Sequence, residues 1–343
     1  MGNTKTKPTK KLQRSSKSFD GSFGRKMDIN PADYICRAQE NTVVVRKPGS
    51  IAGQQFIIEE CKQCSIFLLD HTTSVQIDQC SDCTIFVGPC TSSLFVRDCT
   101  RVTLVCIAQQ FRTRDCKDMD IWLFSTTAPI IETSSQLRIG CCRSSYFALH
   151  DQLDKAKFSI WNNKWSEIFD FTPERNNWKP VAFTTDLWPS AVQQHLPSEL
   201  LQEVGYAEDA MQSILPITHG PHARFSDGMV GLLCVSTGNS MVALDIAHLA
   251  LTKPEIKLIQ TRQFHITTKQ ANILFEKGAS IHKKNSSLHD LIVMEWSGTL
   301  VEETLQTILQ EERVKPHLSN IYLNVQRGRE KCDLCWIEWK ESI

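Results

Sequence analysis

Cysteine returns every nineteen residues at Cys61, Cys80 and Cys99, and Cys116 follows seventeen later. Other columns keep the same step: Phe56, Val75, Leu94 and Phe111; Ile58, Ile77, Val96 and Thr113; Cys64, Cys83, Val102 and Met119. The columns Ile66, Ile85, Leu104, Ile121 and Leu68, Val87, Cys106, Leu123 complete the set. A fifth copy, eighteen residues on, places Ile131, Ser134, Leu137, Ile139 and Cys141 in the matching slots. Self-similarity at a short fixed period marks a repeat architecture. Inside each copy the apolar residues alternate, as in Phe56-x-Ile58 and Ile66-x-Leu68, which is the period of a strand. A unit this short cannot bury its own inner face. Successive copies must coil and stack like on like, as in a parallel β-helix.

The stretch CKQCSIFLLDHTTSVQIDQCSDC at 61–83 also has the spacing of a four-thiolate zinc ribbon. Zinc would leave the other columns unexplained, and Cys64 and Cys83 give way to Val102 and Met119 in later copies. Cysteine is therefore read as a small hydrophobe filling inner corners, with no metal expected. Cys332 and Cys335 form a lone CxxC with no second pair beside it and are read as structural or incidental. The N-terminus lacks the apolar stretch of a secretory signal, so the fourteen cysteines are expected to be reduced thiols in the cytosol. No run of apolar residues in the 343 is long enough to span a bilayer, and the length suggests two domains.

Residues between the inward columns are expected to face solvent. One outward column runs Glu59, Asp78, Arg97, Arg114, Glu132. Rungs of a sheet lie about 4.8 Å apart, so Arg97 should meet Asp78, and Arg114 should meet Glu132. The adjacent column runs Ile57, Gln76, Phe95, Arg112, Ile130 and offers Arg112 no acid above or below. Gln109 and Gln110 precede it, and Gln110 should share its face of the strand. An unpaired arginine on a rigid strand among apolar neighbours suits a protein-facing site.

The segments GQQF (53–56), DHTTSVQIDQC (70–80), IFVGP (85–89), AQQFRTRDC (108–116), PIIE (129–132) and NNKWSEIFDFTP (162–173) resemble the cofactor C-like family, named for the tubulin-binding cofactor C domain. The resemblance is dense from about 31 to 173. It implies a GTPase-activating protein for small Arf-like GTPases, with the arginine of QQFR, here Arg112, as an arginine finger and Gln110 as its companion. It further implies partner contacts at Glu132, Asp170 and Phe171; Gln109, flanking Arg112, is read as another contact, and the column that sets Arg114 against Glu132 suggests a brace there. The activator would act in trans and need no cofactor of its own, since GTP and Mg²⁺ belong to the GTP-loaded partner. The founding family's tubulin-folding role is one alternative, and a non-catalytic adaptor is another.

The zero net charge hides an asymmetry. Residues 1–26 hold eight Lys and Arg against Asp20 alone, a balance of +7, which leaves −7 for the remainder. MGNTKT fits the myristoylation pattern, with Gly2 as acceptor and Thr6 at the hydroxyl position. A single acyl chain binds membranes marginally, so the basic cluster would supply the second attraction, to anionic lipid. Asn3 stands where the resembled family carries a palmitoylated cysteine. Phosphorylation at Ser15, Ser16 or Ser18 would weaken the attraction. These features, with the resemblance, place the expected protein as a monomer at the cytoplasmic face of the plasma membrane. There it would serve ciliary trafficking of lipidated proteins and bind no nucleic acid.

Beyond 173 the pattern changes. Residues 174–225 read as a linker and docking segment with a short helix near 197–213. MVGLLCVS, KLIQTRQFHIT and DLIVMEWSG read as strands, and NSMVALDIAHLAL, TTKQANILFEKG and VEETLQTILQEE as helices. Their order suits a ferredoxin-like sandwich. In the resembled family a domain at this place is nucleoside diphosphate kinase-like. The histidine-glycine of THGPH (218–222) precedes the first strand and lacks the flanking residues of that enzyme's nucleophile, so an accessory role is expected. The expected fold is mainly β plus α+β. A basic tail occupies 1–30, a right-handed parallel β-helix 31–173, the linker 174–225 and a ferredoxin-like domain 226–343.

Overall fold

The computed structural model describes residues 30–174, 176–181, 193–207, 209–226, 229–267 and 288–326. Gly2, the basic cluster, nearly all of the helix expected over 267–278, and Cys332 and Cys335 lie outside the described residues. The described residues from Tyr34 onward form one compact unit.

Ten strands build a parallel β-helix: β1 (Ile35–Arg37), β2 (Val43–Arg46), β3 (Phe56–Glu59), β4 (Ser65–Leu68), β5 (Val75–Asp78), β6 (Thr84–Arg97), β7 (Thr103–Arg114), β8 (Lys117–Ser125), β9 (Ile130–Glu132) and β10 (Ser135–Cys141). One side stacks β1, β3, β5, the second halves of β6 and β7, and β9. The other stacks β2, β4, the first halves of β6 and β7, then β8 and β10. β11 (Phe169–Asp170) and β12 (Trp178–Pro180) return later in the chain to pair with β9 and β10. The repeat columns are the ladder itself. Phe56 pairs with Val75, Val75 with Leu94, and Leu94 with Phe111, all with no exposed surface. Each such side chain contributes roughly 1.5–3 kcal/mol by leaving water.

The corners explain the cysteines. Glu60, Gln79, Asp98 and Asp115 adopt left-handed backbone with φ of 56°, 54°, 53° and 54°, a conformation that costs non-glycine residues about 1–2 kcal/mol each. The next residue is always the ladder cysteine, and its thiol donates inward to a carbonyl two residues back. Cys61 reaches Glu59 O at 3.4 Å, Cys80 reaches Asp78 O at 3.3 Å, Cys99 reaches Arg97 O at 3.2 Å and Cys116 reaches Arg114 O at 3.3 Å. In the fifth copy Ser134 makes the same bond to Glu132 O at 2.9 Å. A small side chain with one weak donor fits each corner and adds a second bond to a carbonyl that already accepts a backbone N–H from the rung before, as Asp78 O does from Glu60 at 3.0 Å. Burial pushes the neighbouring Cys83 thiol up to about 12, so it stays a protonated donor near neutrality.

One expectation fails on the second side of the coil. Phe67, Phe86, Val105 and Trp122 point away from the axis, yet they are buried. The helices Leu149–Ala156 and Ser198–Val204 cover them through Leu149, Leu153, Leu200 and Val204. Apolar residues on both faces of a strand read as a sheet with a second layer, and that layer comes from further along the chain. The helix expected over 197–213 is shorter, ending at Gly205 in left-handed conformation (φ 61°), with a separate 3₁₀ turn at Ala210–Gln212.

The last part is a four-stranded antiparallel sheet of β13 (Met229–Ser236), β14 (Ile256–Thr267), β15 (Leu288–Gly298) and β16 (Ile321–Gln326) in the order β14-β15-β13-β16. The helices Ser240–Leu251 and Val301–Leu309 pack on one face, the ferredoxin-like arrangement, with β16 as the strand not foreseen. The strongest ties between sheet and coil come from 159–167, upstream of the expected docking segment. Trp161 is buried in the sheet's core and its indole donates to Ser240 Oγ at 2.9 Å. Arg262 donates to Asn163 O at 3.0 Å and pairs with Glu167.

Candidate functional site

Along β7 the side chains at 111 and 113 are buried while Gln110, Arg112 and Arg114 are exposed on one face. The backbone register puts Phe95 of β6 on one side of Arg112 and Ile130 of β9 on the other. The guanidinium carbon lies 5.7 Å from the centre of the Phe95 ring, within cation–π range. Neither hydrogen-bond nor ion-pair partners for the Arg112 side chain occur among the described residues. The other two arginines of the face are matched. Arg97 makes a two-pronged bond to Asp78 at 2.7 and 2.6 Å.

Arg114 departs from the sequence expectation. The backbone sets it opposite Glu132, but its Nε lies 3.4 Å from the carboxylate of Asp115 instead. Asp115 occupies the left-handed corner immediately after the strand, and the corner swings its side chain within reach of the neighbour. Glu132 is left exposed, without an ion pair among the described residues, so Arg114 does not brace it. Arg112, Glu132, Ile130 and Phe95 then line a groove of about 280 Å³, closed on one side by Phe171. An unpaired cation and an unpaired carboxylate thus share one groove, with Phe95, Ile130 and Phe171 as its apolar lining and Arg97 and Arg114 also at its edge.

Gln110 receives a hydrogen bond from Ser93 Oγ at 2.9 Å, which fixes its amide on the face of β7 that carries Arg112. Gln109 is exposed, and its carbonyl accepts from the hydroxyls of Thr126 at 3.2 Å and Thr127 at 2.9 Å. Those bonds hold the middle of β7 to the turn that follows β8. Asp170 is committed internally. One carboxylate oxygen accepts from the Thr172 N–H at 3.0 Å and the other from Asn177 Nδ2 at 2.9 Å. Asp170 therefore shapes the loop that presents Phe171. Phe169 and Phe171 are 54% and 56% exposed and meet edge to face at 4.8 Å. Phe169 was not singled out from sequence. Its signal was present in the alternation of FDF, with two aromatics on the same side of a short strand.

No cluster of three or more His, Cys, Asp or Glu side chains suited to a metal occurs among the described residues. The paired cysteines of 61–83 lie in two separate corner columns of the coil, with Cys64 N–H reaching Cys83 Sγ at 3.5 Å and Cys80 N–H reaching Cys99 Sγ at 3.4 Å.

Residues 53–171, which enclose the whole groove, match the sequence model of the tubulin binding cofactor C family. Protein XRP2 of Gallus gallus is 40% identical over 270 residues, covering 76% of this chain and 72% of its own. The chain belongs to the XRP2 family. Protein XRP2 of Homo sapiens is 36% identical over 298 residues (84% of this chain, 83% of that one), and the Mus musculus protein 35% over 286 (81% and 80%). Likeness to XRP2 extends well past the coil into the α+β sheet. A solved tubulin binding cofactor C from Leishmania major covers 44% of this chain and 89% of its own at 14% identity, with a TM-score of 0.31, too slight to bear on the argument.

Proposed function

We propose that this XRP2-family protein stimulates GTP hydrolysis by a small Arf-like GTPase, with Arg112 as an arginine finger supplied in trans. The observation that carries the reading is the Arg112 guanidinium, exposed on a regular strand and matched to no acid among the described residues. GTP hydrolysis spreads negative charge over the γ-phosphoryl and the leaving oxygen, and an added cation stabilises that charge. A guanidinium offers a permanent charge and a planar fork of donors, which a lysine lacks. Holding it on the coil means little has to reorganise when the partner arrives. Phe95 behind the guanidinium and the Ser93-bound Gln110 beside it restrict where it can swing. Glu132 and the Phe169–Phe171 pair offer an acid and an apolar step against which a partner can seat. Nucleotide and Mg²⁺ are the partner's, so the protein acts as an activator and not as a stand-alone enzyme.

The test is single-turnover hydrolysis by GTP-loaded Arf-like GTPases with wild-type protein, Arg112→Ala and Arg112→Lys. Stimulation should fall by about 10³-fold or more in both variants while binding of the GTP-loaded partner persists. Unchanged stimulation would remove Arg112 from the reaction. Binding without stimulation by wild type would make the protein an adaptor. The family match to tubulin binding cofactor C favours one second reading, in which the same face meets a tubulin assembly and its bound GTP. Replacing the small GTPase by tubulin in the same assay separates the two.

A further inference from the structure

A second cleft lies in the α+β sheet, remote in sequence from the finger. The chain at 219–220 runs along the edge strand β14, where His219 N–H donates to Leu258 O and Gly220 N–H to Ile259 O, both at 2.9 Å. It meets β14 where the pairing with β15 slips between Leu258 and Gln260. The sheet edge there, the end of the helix Ser240–Leu251 and the segment ahead of β13 leave a cleft of about 220 Å³. Its walls are apolar, including Ala250, Leu258 and Trp296. Polar lining comes from His219, Lys253 and Lys257.

Three observations give the cleft a chemical preference. Both lysines are half-buried, and neither makes an ion pair among the described residues; Lys257 only lies 5.0 Å from the centre of the Phe225 ring. The adjacent carboxylate, Glu255, takes a hydrogen bond from the Thr304 hydroxyl at 3.3 Å instead. The apolar side is continuous, since Ala250, Leu258 and Trp296 are 6%, 4% and 0% exposed. Unpaired cations beside an apolar wall are the complement of a molecule with one anionic end and an apolar body. We propose that this cleft binds a small organic anion of the medium-chain carboxylate class. Its head meets Lys253 and Lys257, and its body lies against Ala250, Leu258 and Trp296.

The site is independent of the GTPase reading and is tested apart from it. Full-length protein is titrated with octanoate, octan-1-ol and inorganic phosphate, each followed by NMR of the Trp296 indole N–H and the His219 ring. Octanoate should shift both signals saturably at millimolar concentration. It should also raise the imidazole pKa, which burial and the nearby Lys257 and His222 charges now hold down to about 4. Octan-1-ol should bind about tenfold more weakly, and the Lys253→Gln/Lys257→Gln double variant should lose about tenfold for octanoate. Both lysines reach the surface, so circular dichroism of that variant should match wild type. No saturable shift with octanoate overturns the proposal. So does an octanoate affinity that the double variant leaves unchanged. Phosphate reproducing the Trp296 shift would reduce the site to a cationic rim and overturn it too.

Discussion

The coil and the α+β sheet place their charges in different ways. On the coil, ion pairs lie outside, one rung apart and open to water: Arg97 with Asp78, Arg101 with Asp82, Arg138 with Asp118 and Asp120. The sheet has exposed pairs too, Arg313 with Asp245 and His265 with Asp290, but it adds pairs that lie inside. Glu295 has no exposed surface and accepts from Arg224 at 2.6 and 2.9 Å and from Gln260 at 2.6 Å. Arg262 is buried against Glu167 and the Asn163 carbonyl. The coil owes its stability to stacked apolar columns, so its outward residues are free to serve a partner. The sheet uses charge to fasten segments together. Losing an unmatched arginine on the coil should therefore spare the framework, whereas losing a matched one in the sheet would mean structural damage.

That contrast is broken most directly at Arg112. Replacing it with alanine should lower GTPase stimulation by about 10³-fold or more, yet shift urea-unfolding stability by no more than about 0.5 kcal/mol. A large loss of stability would mean that the guanidinium helps hold the coil. Arg224→Ala should do the reverse. It leaves the Glu295 carboxylate buried with the Gln260 amide as its remaining support among the described residues, and such a loss costs about 3–5 kcal/mol. Urea unfolding reads it, and stimulation should survive under conditions where the variant stays folded. A cost below about 1 kcal/mol would show that water reaches Glu295 once the arginine is gone.

The same contrast governs what could be read from sequence. In the coil the repeat step gave the register, so the neighbours of Arg112 were legible before any coordinates: Phe95 and Ile130 stand where the columns place them. Side-chain choice was less legible. Arg114 takes Asp115 and not Glu132, because the left-handed corner redirects an acid that strand geometry would point elsewhere. The first coil falls within the expected 31–173 but outside the repeat columns, because Ile35 pairs with Ile57 and Val43 with Ser65, a step of 22 residues. β12 was missed because Trp178 pairs with Leu137, a step of 41 residues. Neither spacing registers as a repeat. In the sheet, periodicity found β13, β14, β15 and two helices, but nothing local marks Glu295 as buried or His219 as lining a cleft. Those follow from contacts between distant segments.

Acid should expose the sheet's dependence on its interior. The folded pKa of His219 is about 4, held down by burial and by the Lys257 and His222 charges, against about 6.5 in the unfolded chain. Above pH 6.5 both states are neutral at this residue, and its contribution to stability is intact. As pH falls from 6.5 to 4 the unfolded state takes up the proton first, so stability declines by about 1.4 kcal/mol per pH unit and then levels off. Its partial exposure trims the total to roughly 2 kcal/mol. Urea midpoints across this range should fall in wild type and flatten in His219→Gln. Octanoate, if it occupies the cleft, should flatten the wild-type curve as well, since a bound anion favours the charged ring.

The smallest effect is predicted for the best-formed pair on the coil. Arg97 and Asp78 have two-pronged geometry at 2.7 and 2.6 Å, but their side chains are 39% and 20% exposed. A double-mutant cycle with Asp78→Ala and Arg97→Ala should return a coupling of about 0–1 kcal/mol. Raising the salt to about 1 M should shrink it further, because the screening length falls to about 3 Å. The geometry alone would suggest more, and a coupling above about 2 kcal/mol that resists salt would place this pair with the buried ones of the sheet. The coil's outward face would then be part of its framework, and losing an unmatched arginine there would no longer be expected to spare it.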